Sequence, residues 1–360
     1  MSTARPAVIE EAAGTVSREV LRQLPKAELH CHLDGSVRPQ TLLDLGEELG
    51  ITMPRHDAAS LAAYMRVDDA RNLEDYLARF EITLAVMQTA PALERIAYEL
   101  AADAAADGVR YMEIRYAPVL NTQGGLAMQD VVEATLRGVQ RAEREHDIVP
   151  RLILCALRHQ PVAVAVEQAE LAVAYRNRGV VGFDLAGGEA GNPASRYAEA
   201  FALAQRHDVC CTCHAGEGDG ADSVRDALFG CQVHRLGHAT RLIEDRELTE
   251  YANTHRVPLE ICITSNVQTR VAESSARHPL REYFDRGLNV ILNTDNRLMS
   301  GVTLTDEYAA ANAALGFTFD ELAQVALNGF ESGFLAAAER APIAERARAD
   351  IARLRAEAGA

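Results

Sequence analysis

Short apolar runs bounded by turn residues alternate with amphipathic stretches along most of the chain. The runs read as strands at Ala27–Leu33, Arg110–Tyr116, Arg151–Leu157, Val180–Leu185, Val209–His214, Arg235–His238, Pro258–Ile263 and Asn289–Asn293. Between them, helical periodicity covers Pro91–Asp107, Met128–His146, Val162–Arg178, Ser195–His207, Asp219–Phe229 and Asp245–His255. Near-continuous apolar strands separated by helices imply a parallel sheet covered on its outer face. Eight such units imply a closed (β/α)8 TIM barrel rather than an open sheet.

Two segments exceed the minimal barrel. Residues 55–89 form a helical insertion after the first strand, in which Leu61, Tyr64, Met65, Leu77 and Phe80 either line a lid over the barrel mouth or pack on one another. The chain from Thr303 to Ala360 reads as helical, and its Arg/Glu/Ala-rich run Glu345–Glu357 as a solvated face. No repeat or low-complexity linker divides residues 1–360, so a single domain is expected.

Composition narrows the partners. With 52 acidic against 36 basic residues the formal charge is −16, and no basic run is interleaved with aromatics. Nucleic acid and anionic membranes are therefore disfavoured. Met1–Leu24 lacks a continuous apolar core, so neither a signal peptide nor a spanning segment is expected, and the location is expected to be cytoplasmic. Seven cysteines without paired spacing fit a reducing compartment. Cys210 and Cys213, an odd separation apart in a strand, face opposite ways and do not make a metal pair.

The chemistry gathers at strand ends. In Glu28-Leu29-His30-Cys31-His32-Leu33-Asp34-Gly35, two histidines at i and i+2 project from one face of a strand and can share a metal ion. His214 ends the fifth strand, His238 the sixth, and Asp295 follows the eighth. All fall at the C-terminal ends of their strands, where barrel active sites form. Four of these groups, three imidazoles and a carboxylate, could surround one metal; such donors suit zinc, and also iron, cobalt or manganese. A lysine-bridged pair of metals is excluded, because the single lysine, Lys26, precedes strand one and strand four ends Phe183-Asp184-Leu185-Ala186-Gly187.

The blocks His30-Cys31-His32-Leu33-Asp34-Gly35, Asp184-Leu185-Ala186-Gly187, His214-Ala215-Gly216-Glu217, His234-Arg235-Leu236-Gly237-His238, Ser265-Asn266 and Asn293-Thr294-Asp295 resemble those of adenosine deaminases, in order and spacing, from about Pro25 to about Asn328. The cytidine-deaminase type of site, with its Pro-Cys-x-x-Cys pair, is absent from the sequence. The resemblance implies one Zn2+ per chain on His30, His32, His214 and Asp295, with a water whose pKa the metal lowers so that hydroxide attacks purine C6. It implies catalytic roles for Glu217, which would share a proton with purine N1, for His238, which would accept the water proton or stabilise the hydroxide, and for Asp295, which would orient it. It implies substrate contacts from His32, from Asp34 to a sugar hydroxyl, and from the Gly187 N–H to N3. Asp34 stands where relatives taking free adenine have Glu and those taking N6-methyl-AMP have Asn, which favours a purine nucleoside.

Asn296 departs from the resemblance: many members carry a second Asp there, bonded to N7. An amide N–H can donate to N7 without prior protonation. The expected reaction is deamination of adenosine and 2′-deoxyadenosine to inosine and ammonia. The alternatives are a deaminase of 5′-modified adenosines such as methylthioadenosine or aminodeoxyfutalosine, or of adenine. From other classes, they are a mononuclear metal hydrolase of amides or esters, and a catalytically silent nucleoside-binding protein.

Overall fold

Barrel strands are buried on both faces, so polar residues on them, such as Lys26, Glu28 and His30 of the first strand, are buried along with their apolar neighbours. In the computed structural model, which describes residues 15–68 and 79–358, eight parallel strands pair in chain order. They are β1 (Lys26–His32), β2 (Val109–Tyr116), β3 (Val149–Leu157), β4 (Val180–Ala186), β5 (Cys210–Ala215), β6 (Arg235–His238), β7 (Leu259–Ile261) and β8 (Val290–Leu292). Helices on the outside connect them, as the alternating pattern requires.

The barrel closes beside the site. Just past β8, Asp295 bridges in parallel to Cys31 of β1. The His32 N–H donates to the Asp295 carbonyl at 2.7 Å, and the Asp295 N–H donates to the His30 carbonyl at 3.0 Å. Below this, Asn293 Oδ1 accepts the N–H groups of Leu29 at 2.7 Å and His30 at 3.1 Å. The backbone bonds that seal the seam are those that fix Asp295 next to the two histidines of β1. At the start of β1, Lys26 is fully buried and donates to the carbonyls of Leu21 at 2.7 Å and Leu24 at 2.9 Å, and burial pushes its ammonium pKa down to about 7. It anchors the helix Arg18–Gln23 at the opposite end of the strand from the histidines.

Three expectations change. Strand seven ends at Ile261, and Ile263–Gln268 is helical; an apolar run this short has no period that separates the two states. The buried Glu307 accepts the Thr264 N–H at 3.2 Å near the start of that helix, a tertiary contact invisible to local pattern. The C-terminal region is helical as expected, in three helices, Leu304–Leu315, Phe319–Ser332 and Ala337–Ala358, the first ending at the left-handed Gly316, but its last run is not wholly solvated. Within Glu345–Glu357, Ala347, Ile351 and Leu354 are buried while most of their neighbours are exposed. The insertion divides between its two readings. Leu61 and Met65 are buried in the core, whereas Phe80, in the helix Phe80–Val86, lines the site cavity; Leu77 lies outside the described residues. Among the described residues, no helix is long and apolar enough to cross a membrane.

Candidate metal and catalytic site

Two buried carboxylates orient the imidazoles. His30 Nδ1 lies 2.9 Å from Glu260 Oε2, and His214 Nδ1 lies 3.2 Å from Asp184 Oδ2. A carboxylate on Nδ1 holds the proton there and leaves Nε2 bare as a donor to a cation. Arg115, inside β2, ties both carboxylates together, with Nη1 3.2 Å from Asp184 and Nη2 2.8 Å from Glu260. Arg235 adds a contact of 2.6 Å to Glu260. Burial opposes ionisation of both acids, but these cations, with His214 at Asp184, hold both carboxyls well below the usual range. The charges under the site are thus paired rather than isolated, as buried ions must be.

Above this layer the Nε2 atoms converge. His32 Nε2 is 3.1 Å from His214 Nε2, and His30 Nε2 and His32 Nε2 are each 3.4 Å from Asp295 Oδ1. Ligand-type atoms of His30, His214, His238 and Asp295 all lie within 4.8 Å of one another. The His30 Nε2 is buried with no hydrogen-bond partner, a condition that costs roughly 1–3 kcal/mol unless something meets it. Bare imidazole nitrogens crowded around a carboxylate oxygen fit a metal ion, and the donor set suits zinc. Ser265 Oγ donates to Asp295 Oδ2 at 2.6 Å, steadying the carboxylate. Both His238 (φ +61°) and Asp295 (φ +62°) sit in the left-handed region. Such strain in non-glycine residues gathers where surrounding structure holds functional groups.

His238 differs from the other imidazoles in what its Nδ1 meets. The Leu280 N–H donates to His278 Nδ1 at 3.1 Å, so His278 carries its proton on Nε2, which lies 3.1 Å from Asn266 Oδ1. Thr240 Oγ1 donates to the same oxygen at 2.9 Å. These two donors orient the Asn266 amide, whose Nδ2 faces His238 Nδ1 at 3.0 Å. His238 Nδ1 therefore accepts, and its proton lies on Nε2, 3.4 Å from Glu217 Oε2. Burial, then the neighbouring histidines, hold His238 neutral, well below the ordinary histidine pKa.

Glu217 is buried on the cavity wall, reached by the Thr269 side chain. Burial first, then the negative charges of Asp295 and Glu189, push its pKa well above the usual carboxyl value, so it carries a proton under conditions where an exposed glutamate would not. The cavity has a volume of about 400 Å³. Asp34, Gly187 and Asn296 also line it, beside the apolar Phe80, Leu84 and Leu120. Asp34 Oδ1 and Asn296 Oδ1 are buried without partners, and burial raises the Asp34 carboxyl to about 7. Asn296 packs so tightly over Gly35 that a Cβ there would fall 1.7 Å from its Oδ1. Gly187 has φ +91°, yet a Cβ would meet its nearest protein atoms at an ordinary 3.6 Å. Backbone conformation, rather than protein packing, calls for glycine at that position.

The structure brings every site residue expected from the sequence into one region: the cluster of His30, His214, His238 and Asp295, with His32 against His214 and Asp295, Glu217 beside His238, and Asp34, Gly187 and Asn296 along the cavity. The supporting groups Glu260, Arg115, Thr269, His278 and Glu189 belong to none of the sequence blocks that mark the site. Glu260 leaves a signal, as the one charge in the apolar strand Leu259–Ile261; Arg115 shares β2 with Arg110 and Glu113 and does not stand out, and the others lie on connections with no such contrast.

A closed barrel whose strand tips gather imidazoles and a carboxylate around one buried point is the architecture of metal-dependent barrel hydrolases. The chain belongs to the adenosine deaminase family, whose sequence model matches residues 25–349. It is 41% identical over 341 residues to the adenosine deaminase of Mycobacteroides abscessus, covering 90% of this chain and 94% of that one. It is 39% identical over 321 residues to a probable adenosine deaminase of Dictyostelium discoideum, covering 89% of this chain but only 42% of that longer protein. Among solved structures, an amidohydrolase from Burkholderia ambifaria with bound Zn superimposes with a TM-score of 0.85 at 27% identity, over 98% of this chain and 96% of that one.

Proposed function

We propose that this protein hydrolyses the 6-amino group of adenosine and 2′-deoxyadenosine, releasing inosine or 2′-deoxyinosine and ammonia, with one Zn2+ held by His30, His32, His214 and Asp295. The observation that carries this reading is the buried Glu217 carboxyl 3.4 Å from His238 Nε2 on the wall of the cavity that the metal cluster also lines. Bound there, the metal would act as a Lewis acid that makes water nucleophilic near neutral pH. Glu217, kept protonated by burial, gives its proton to purine N1, which makes C6 electrophilic. His238 Nε2–H donates to the oxygen arriving at C6, and Asp295, fixed by Ser265, orients the same oxygen. The water's two protons balance the step, one restoring Glu217 and the other passing to the amino nitrogen as the C6–N bond breaks and ammonia leaves. Of the two roles expected for His238, donation is the one its tautomer supports, because Nδ1 is already occupied by the Asn266 amide.

Asp34 takes a ribose hydroxyl, the Gly187 N–H takes N3, and the Asn296 amide donates to N7. The orphaned oxygen of Asp34 supports this reading, since a buried acceptor without a partner is ready for a ligand hydroxyl. A base lacking ribose leaves that carboxyl unmet, which disfavours free adenine.

Loss of adenine absorbance, followed for adenosine, 2′-deoxyadenosine, 5′-methylthioadenosine, AMP, adenine and 7-deaza-adenosine, tests the assignment. Adenosine and its 2′-deoxy analogue should give the highest kcat/KM, with adenine and 7-deaza-adenosine poor. Adenine outperforming adenosine would overturn the role of Asp34. Unimpaired turnover of the 7-deaza compound would remove Asn296 from purine recognition. Preference for the 5′-thioether would move the substrate to the modified nucleosides that the apolar Phe80, Leu84 and Leu120 could also accept.

A further inference from the structure

The residue carrying the proposed proton donor stands on an unusual piece of backbone. After β5, the chain runs Ala215-Gly216-Glu217-Gly218, and three successive N–H groups turn toward one side chain from a different connection. Gly216 N–H donates to Glu189 Oε1 at 2.6 Å, while the N–H groups of Glu217 and Gly218 donate to Glu189 Oε2 at 3.0 Å and 2.7 Å. Consecutive amides converging in this way form a nest that binds anions. Here the anion belongs to the protein. Glu189 is only 3% exposed and follows β4 by three residues, two past Gly187.

Gly216 makes the arrangement possible. It has φ +73°, in the left-handed region, and a Cβ on it would fall 2.6 Å from Val224 Cγ2. With both carboxylate oxygens engaged, the backbone at 217 has little freedom, and the direction of the Glu217 side chain into the cavity is set from behind. The turn that presents Glu189 is itself closed by the Asn192 N–H donating to the Glu189 carbonyl at 3.0 Å. The same β4 connection therefore supplies Gly187 to the cavity and Glu189 to the loop that carries Glu217.

We propose that Glu189 is a positioning residue that aims Glu217, holding its backbone by three charge-assisted hydrogen bonds so that the Glu217 carboxyl meets the purine ring in one orientation. The inference rests on the functional reading above, in which Glu217 serves purine N1. Charge-assisted bonds are about twice as strong as neutral ones, and Gln at 189 keeps the shape while replacing one oxygen by an N–H2 that faces donors. A small displacement of a catalytic group lowers turnover more than it lowers binding.

The test is a double-mutant cycle on the metal-loaded enzyme, with adenosine as substrate and metal content measured for each variant. Glu189→Gln should lose about 10- to 100-fold in kcat, the scale of an impaired general acid, with KM within about threefold and metal content unchanged. The double variant Glu189→Gln/Glu217→Gln should be no slower than Glu217→Gln alone, because the two residues act through one group. Multiplying losses, or wild-type turnover in Glu189→Gln, would overturn the proposal. Wild-type turnover in Glu217→Gln would instead overturn the functional reading. A measurement on the unaltered protein guards against a variant that fails to fold: amide hydrogen exchange should find Gly216, Glu217 and Gly218 protected although they lie in a connection. Exchange at the rate of free loop amides would overturn the clamp.

Discussion

Asn266 Nδ2 lies 3.0 Å from His238 Nδ1, and this contact decides which nitrogen of His238 carries the proton. The amide has only one orientation available, because Thr240 and His278 both donate to its oxygen. Protons along Leu280, His278, Asn266 and His238 consequently all point toward the cavity. His30 and His214, whose Nδ1 atoms face carboxylates, have the opposite tautomer and bare Nε2 atoms. One cluster of imidazoles is thus sorted into rings with a bare Nε2, as a metal ligand requires, and a ring with an Nε2–H, by what lies behind each one.

Replacing Asn266 by Asp should reverse that sorting at His238. A carboxylate accepts rather than donates, so the His238 proton would move to Nδ1. We expect kcat to fall by about 10²-fold or more, with a much smaller change in KM. Nitrogen-15 NMR of histidine-labelled protein should report the Nε2–H tautomer in the wild type and its loss in Asn266→Asp. An unchanged His238 tautomer in the variant would contradict the assignment.

Glu217→Gln should still bind metal and nucleoside yet lose at least about 10²-fold in kcat, since the amide cannot supply the proton. In the wild type, burial and the nearby negative charges of Asp295 and Glu189 raise the Glu217 pKa well above the usual carboxyl value, so the proton donor persists to higher pH than an exposed glutamate would. Activity should decline as pH rises through that elevated pKa. Titration of the Glu217 carboxyl at an ordinary carboxylate value, in isotope-edited infrared spectra, would remove this explanation.

Metal analysis of purified protein should return one zinc per chain. Exhaustive chelation should abolish turnover and lower the thermal midpoint, because His30 Nε2 and its neighbours would be left buried without a cation. Two metals per chain, or full activity after chelation, would refute the single-metal reading.

His278 yields a stability prediction with a definite sign. Burial pushes its pKa down to about 3, far below the ordinary 6.5. Between those values the unfolded chain binds a proton that the folded one refuses, so His278 makes stability fall as pH drops from about 6.5 toward 3. The contribution is complete above the unfolded value and approaches ~1.4 kcal/mol per pH unit within that window. His278→Gln, which keeps an N–H donor toward Asn266, should show a shallower decline in denaturant-unfolding free energy over pH 6.5 to 5. Parallel curves for the two proteins would disprove the assignment.

The local sequence determined a great deal here because the barrel repeats a simple pattern. Apolar strands and periodic helices specify the βα alternation, and β6 falls on the stretch read from sequence, Arg235–His238. His30 and His32 could be paired from an i, i+2 spacing alone, and their place at a strand tip followed from barrel architecture. Boundaries were weaker where an apolar run was short: β7 stops at Ile261 because the next turn is held by Glu307, forty-odd residues away.

Only the tertiary structure decided how the site works. The carboxylate of Asp295 comes beside β1 because barrel closure hydrogen-bonds residue 295 to 30 and 32. No spacing in the chain reports that Glu260 faces His30, that Asn266 sets the tautomer of His238, or that Glu189 holds the Glu217 backbone. These contacts join residues on different βα units, tens to hundreds of positions apart. Local patterning encodes which face a side chain takes and which end of a strand it occupies. Which nitrogen bears a proton, and which carboxyl stays neutral, depends on burial and on partners that only the closed barrel brings within 3 Å or so of one another.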